Sequence, residues 1–223
     1  MAPGTDALIL LRMIAVVQRV LRAQVAVEGR VVGRIGAGMV VLAAVEVGDT
    51  EAEVEWMAGK LLTLRMFRNG EKHFDWDVGQ VAGNCLETRR REGTKNFNTE
   101  GTESTECMEA DEGNLELGAL GGGKFTQETT GPGKGQWGAG ILLVSNFTVA
   151  AETAKGRRPS LSGAAVPERG REMFDKLVEA VRRQAANGGG RVAVETGEFG
   201  AMMEVELVND GPVTFIVKTG AVV

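Results

Sequence analysis

Two short segments carry most of the chemistry this chain can offer. Ser145-Asn146-Phe147-Thr148-Val149 and Asn209-Asp210-Gly211-Pro212-Val213-Thr214 each end an apolar, strand-like run with hydroxyl, amide and glycine residues. At such a strand end, backbone donors and acceptors can be shown to a ligand rather than absorbed into a core. Amides placed this way can hold the oxyanion formed during ester hydrolysis, and aimed donors are often the largest catalytic contribution. Thr148 could orient an ester or a water, but no base that would make it a nucleophile is evident beside it. A plainer reading stays open for both segments: a strand entering a turn at 145–149, and a turn dipeptide at Gly211-Pro212. A cis bond at that dipeptide is allowed, since about 5–6% of X-Pro bonds in folded proteins are cis.

Ionisable groups offer little else. The chain has one histidine, no tyrosine and two cysteines. A Ser-His-Asp or Cys-His arrangement needs an imidazole, and the only one is His73, within His73-Phe74-Asp75-Trp76-Asp77. A structural or solvent-exposed histidine fits that setting better than a general base. Cys85 and Cys107 lack zinc-type spacing and build no framework, which fits a reducing compartment. With no cluster at metal-ligand spacing, neither a metal nor a cofactor is expected. Gly36-Ala37-Gly38 and Gly121-Gly122-Gly123 lack the helix and lysine of a phosphate loop and read as turn and linker glycines.

The elements that must position these segments follow from periodicity. Met13–Val20, Gln24–Glu28, Arg30–Ile35 and Met39–Val47 read as strands, with Glu28-Gly29 as a hairpin turn. Thr50 and Glu53 have the spacing of a capping box, opening a helix over 50–64 with Val54, Met57, Leu61 and Leu62 on one face. Ile141–Val149 reads as another apolar strand. Pro167 starts a second helix that Asn187-Gly188 stops. Arg191–Glu195, Met203–Val208 and Val213–Lys218 close the chain as strands. The expected class is α+β, with seven or eight strands, two main helices and no βαβ rhythm.

Composition divides the 223 residues. Residues 80–135 hold 11 glycines, only eight of Val, Ile, Leu, Met, Phe and Trp, and ten acidic against six basic side chains. Such a stretch cannot bury enough apolar surface to offset its ordering entropy, so it reads as a disordered insert, either a spacer or a recruitment arm. Residues 1–12 read as an N-terminal extension upstream of a second start at Met13, their apolar part being shorter than a signal core of roughly 7–15 residues. A single domain is left over 13–79 and 136–223. No run approaches the roughly 20 apolar residues that span a bilayer, so no membrane association is expected. The formal net charge of -5 removes a whole-chain footprint for nucleic acid. Any RNA contact would come from a local patch, for which Lys155, Arg157 and Arg158 are the candidates; a solvated loop is the alternative.

Several of these stretches, in this order, resemble the D-aminoacyl-tRNA deacylases of the Gly-cis-Pro type found in bacteria and eukaryotes. Met13-Ile14-Ala15-Val16-Val17-Gln18-Arg19-Val20 looks like that family's opening strand, and the likeness continues from Gly36 to Phe67. It resumes from Gly140 through Lys155-Gly156-Arg157-Arg158-Pro159-Ser160, then by way of Glu195 to Met203 into Asn209-Asp210-Gly211-Pro212-Val213-Thr214. The resemblance implies a barrel-like α+β homodimer, cytoplasmic and acting in translation quality control, whose substrate is aminoacyl-tRNA. Its active sites would lie at the subunit interface. Ser145, Asn146, Phe147 and Thr148 would line the pocket, with the amides of Phe147 and Thr148 as donors to the ester carbonyl. Gly211 and Pro212, flanked by Asn209 and Thr214, would enter from the partner subunit and exclude an L side chain, with Arg19 locking them. D-amino acids and glycine would be hydrolysed from the terminal adenosine with main-chain groups and the substrate's own 2'-hydroxyl.

Two departures bear on this expectation. The family's Ser-Gln-Xaa-Thr-Leu has Asn146 for its glutamine and Val149 for its leucine. If the longer amide positions the substrate, Asn146 falls short by more than about one ångström, one C–C bond being about 1.5 Å, and a misplacement of about 1 Å can cost on the order of 10²-fold. The insert is the second departure. Two rivals remain. One is the animal deacylase group that uses the proline in trans and lacks the arginine, which Arg19 argues against. The other is a non-catalytic tRNA-end or protein-binding module in which Asn146 marks lost activity; a large gain on Asn146→Gln would favour it.

Overall fold

The computed structural model describes residues 13–84, 139–154, 156–189 and 191–220. Lys155 and most of the 80–135 stretch lie outside the described residues, as does the 1–12 extension. Residues 80–84, which composition assigns to the insert, are instead helical and belong to a segment α2 over 78–84. Val78 and Ala82 are buried there, so two well-spaced apolar side chains outweigh the glycine-rich surroundings.

Most of the fold hangs on one long strand, β1 (Ile14–Val27). One of its edges pairs antiparallel with β8 (Met203–Lys218) along its whole length. The other edge pairs first with β3 (Gly38–Ala44), then with β2 (Arg30–Ile35). Glu28 and Gly29, at φ 52° and 75°, make the expected turn. β3 continues the sheet in parallel to β6 (Gly140–Ser145), and β6 in parallel to β7 (Ala193–Thr196). The sheet is therefore mixed. It curls until β2 approaches β7: a Cβ on Gly33 would lie 2.7 Å from the Thr196 carbonyl oxygen, so glycine allows the near-closure of the barrel.

Alternation along β3 and β6 feeds two cores. Met39, Val41, Ile141 and Leu143 face one cluster, which they share with helices α1 (Glu51–Thr63) and α3 (Pro167–Asn187). Val40, Leu142 and Val144 face the other, inside the curled sheet with Val25 and Ile35. Both helices start as their caps predict. Thr50 and Glu53 form the reciprocal capping box, and Pro167 stands in the first turn of α3.

Four expectations need correction. The two opening strands are one, and so are the two closing ones; each pair is joined through a register irregularity rather than broken by a loop. The apolar run 141–149 is a strand only to Ser145, after which Phe147–Ala150 winds into a 3₁₀ turn. A hairpin of β4 (Phe67–Asn69) and β5 (Lys72–Trp76) was not foreseen, although Asn69-Gly70 is a standard turn signal. His73 sits on β5 and is exposed.

Candidate functional site

The Gly211-Pro212 segment lies within β8, not in a free loop. Gln18 pairs with Thr214 and Val20 with Asn209, so Arg19 alone stands opposite Asp210, Gly211, Pro212 and Val213. The surplus residues bulge from the sheet, and the Gly211–Pro212 peptide bond is cis. Gly211 has φ 124°, a region that other L residues rarely adopt, and a Cβ there would lie 2.9 Å from Val213 Cγ2 and 3.3 Å from Arg19 Nη2. Any side chain here would be strained and crowded.

Arg19 braces this bulge from beneath. Its side chain is 2% exposed, and Nη1 donates to the Met66 carbonyl oxygen at 2.6 Å. Nε donates to the Asp210 carbonyl at 3.2 Å and lies 2.9 Å from Asp210 Oδ2. One guanidinium thus ties the bulge to the loop after α1, using the fixed fork that a lysine lacks. Asp210 and the Met66 carbonyl were not singled out from the sequence. An acid immediately before Gly-Pro, facing a core-parity arginine, was the available signal for Asp210; the Met66 carbonyl left none.

The second segment begins where β6 ends. Ser145 still pairs with Ala43, and the Asn146 amide donates to the Ala43 carbonyl at 2.8 Å. Asn146 then caps the 3₁₀ turn: its Oδ1 accepts from the Thr148 amide at 3.2 Å and from the Thr148 hydroxyl at 2.6 Å. The Thr148 amide is thereby engaged, whereas the amide of Phe147, first in the turn, has no acceptor within it. Phe147 is 59% exposed and Thr148 is exposed as well. The turn rests on β3 and β1.

Arg157 and Arg158 are exposed in a loop closed by the Glu152–Ser160 bridge, whose two backbone bonds are each 2.9 Å. Among the described residues no hydrogen bond or ion pair joins Ser145–Thr148 to the 209–214 bulge of the same chain. No group of three or more His, Cys, Asp and Glu stands together among them either. No described helix is long and apolar enough to cross a membrane.

These features define a barrel-like α+β protein whose polar groups, at the strand ends singled out by sequence, are main-chain, amide and hydroxyl groups, with the Asp210 carboxylate paired to Arg19. The chain belongs to the family described as D-Tyr-tRNA(Tyr) deacylase, whose profile matches residues 16–89 and 134–218. Among curated relatives, the D-aminoacyl-tRNA deacylase of Pelobacter propionicus is 38% identical over 206 residues, covering 92% of this chain and 99% of that protein. The D-aminoacyl-tRNA deacylase of Cupriavidus metallidurans is 37% identical over 203 residues, with 91% and 94% covered. A solved structure titled c-Myc DNA Unwinding Element Binding Protein superposes with a TM-score of 0.63 at 26% identity, covering 93% of this chain and 99% of that one. A probable eukaryotic D-amino acid tRNA deacylase shares the fold, with a TM-score of 0.59 at 13% identity over 94% and 100% of the two chains.

Proposed function

We propose that this chain is a hydrolase that cleaves the ester between a D-amino acid, or glycine, and the terminal adenosine of tRNA, as a chirality check on translation in the cytoplasm. The observation that carries the reading is the Arg19-braced Gly211-Pro212 bulge, in a chain that belongs to the deacylase family. Water adds to the ester carbon and the C–O bond to ribose breaks. The free amino acid leaves, and the ribose oxygen takes up a proton from that water. The negative charge that develops on the carbonyl oxygen is met by main-chain amides, that of Phe147 first.

Selection against L side chains falls to the bulge, whose glycine and proline carbonyls form a rigid wall. Gly211 and Pro212 are exposed and make no hydrogen bond to Ser145–Thr148 of their own chain. The proposed enzyme is accordingly a homodimer in which the bulge of one copy closes the pocket of the other. Asn209 and Thr214 set the two ends of the bulge, while Lys155, Arg157 and Arg158 meet phosphates near the acceptor end.

Hydrolysis of a matched pair, D- and L-aminoacyl-tRNA carrying the same amino acid, tests the reading. Rapid loss of the D ester alone is expected. Loss of neither ester by folded, dimeric protein would overturn it and leave a module that binds without cleaving.

A further inference from the structure

The Asn146–Thr148 contact has a direction that chemistry fixes. The Thr148 backbone N–H can only donate, so the Asn146 atom 3.2 Å from it must be the carbonyl oxygen and not the amide nitrogen. The Thr148 hydroxyl lies 2.6 Å from that same oxygen. A carbonyl oxygen cannot donate, so the hydroxyl proton points at Asn146. Both lone pairs of Thr148 Oγ1 remain, and the residue faces solvent. The Asn146 Nδ2 protons have no acceptor among the described residues. An amide oxygen is too weak a base to take the hydroxyl proton, so this pairing makes Thr148 an acceptor rather than a nucleophile.

We propose that Asn146 is a positioning residue that orients the Thr148 hydroxyl as a hydrogen-bond acceptor for a donor of the substrate beside the ester. The inference rests on the deacylase reading above, and the donor is either a ribose hydroxyl or the α-ammonium. The short side chain is what makes the device work. Asparagine closes a ring onto an amide two residues ahead, as N-cap residues do, whereas a glutamine must fold back an extra methylene to reach the same point. The site is therefore built around asparagine rather than weakened by it, and Asn146→Gln lowers activity instead of restoring it.

Three variants test this, with Thr148 followed by methyl-labelled NMR so that the local geometry is read independently of turnover. Asn146→Gln is expected to scramble the Thr148 side-chain rotamer and to lower kcat/KM on the D ester about tenfold, mainly through kcat, with Tm within about two degrees. Asn146→Asp keeps the cap and the rotamer, so it retains more activity than the glutamine variant. Asn146→Ala should cost far less in a Thr148→Val background than in the parent chain, because both act through one hydroxyl. Loss on Thr148→Val confined to the free-amine ester, and absent for its N-acetyl form, assigns the donor to the ammonium; equal loss on both assigns it to the ribose. An unchanged rotamer in Asn146→Gln, or activity at or above the parent's, overturns the proposal. If the parent protein hydrolyses neither ester, the deacylase reading fails, while the NMR result still decides the Asn146–Thr148 geometry.

Discussion

Arg19 and Asp49 are buried ionisable residues with opposite fortunes. Arg19 finds a carboxylate and two carbonyls, so its burial is compensated. Removing it would leave the Met66 carbonyl and Asp210 short of partners, and Arg19→Ala should destabilise by on the order of 3 kcal/mol in denaturant titration. Arg19→Lys keeps the charge but not the fork. It is expected to fold, with the D-over-L hydrolysis ratio reduced at least tenfold; an unchanged ratio would show that the bulge holds itself. Asp49 is less well served. Its Oδ2 accepts from the Glu46 amide at 2.8 Å, but Oδ1 is buried without a partner. Burial pushes its carboxyl up to about 6 from 3.8, with repulsion from Glu46 and Glu53 adding and the amides of Glu46 and Met13 opposing. The folded state thus binds this proton more tightly than the unfolded chain. The stability it contributes is full below about pH 4 and falls as pH rises towards 6. Asp49→Asn keeps an acceptor for Glu46 and removes the charge. It should raise stability at pH 7 by about 1–2 kcal/mol and flatten the slope between pH 4 and 6; a slope equal to the parent's would assign that titration elsewhere.

At the level of elements, helices were legible because their ends are written in local residues. Thr50 and Glu53 specify a cap whatever the rest of the chain does, and α1 begins where they place it. Thr50→Ala should lower stability by about 1 kcal/mol without touching ester hydrolysis, as a thermal melt beside an activity assay would show. The long strands were legible only in pieces. Leu21 is 45% exposed and Arg22 exposed, so periodicity alone suggests a break, yet β8 pairs across it. Pairing is non-local, and a window of ten residues does not contain it. The 3₁₀ turn failed for a different reason. Phe147, Thr148 and Val149 favour strand by type, and one side-chain carbonyl on Asn146 overrides them. Of the candidate site, the two segments and Arg19 were readable from sequence. The bracing by Asp210 and the Met66 carbonyl became visible only once β1 and β8 were aligned.

For the whole molecule, the family match skips residues 90–133. Replacing that stretch with a flexible linker should leave D-ester hydrolysis within a few-fold. A net charge of -5 leaves tRNA binding to local cations. Reversing Arg157 and Arg158 should therefore weaken binding and shallow its salt dependence by about 0.7–0.9 per lost phosphate contact, measured by titration at several ionic strengths. The bulge has one more consequence, for how this lineage can change length. From Gln18 to Arg22 the opening strand advances four positions, while its partner advances six, from Val208 to Thr214. The surplus is even. Met203, Val205 and Leu207 before the bulge turn to one core cluster, and Val213, Phe215 and Val217 after it turn to the other, all at odd positions along the strand. Loss or gain of a single codon between 209 and 213 would turn one arm of the strand inside out, whereas a change of two would keep both arms in phase.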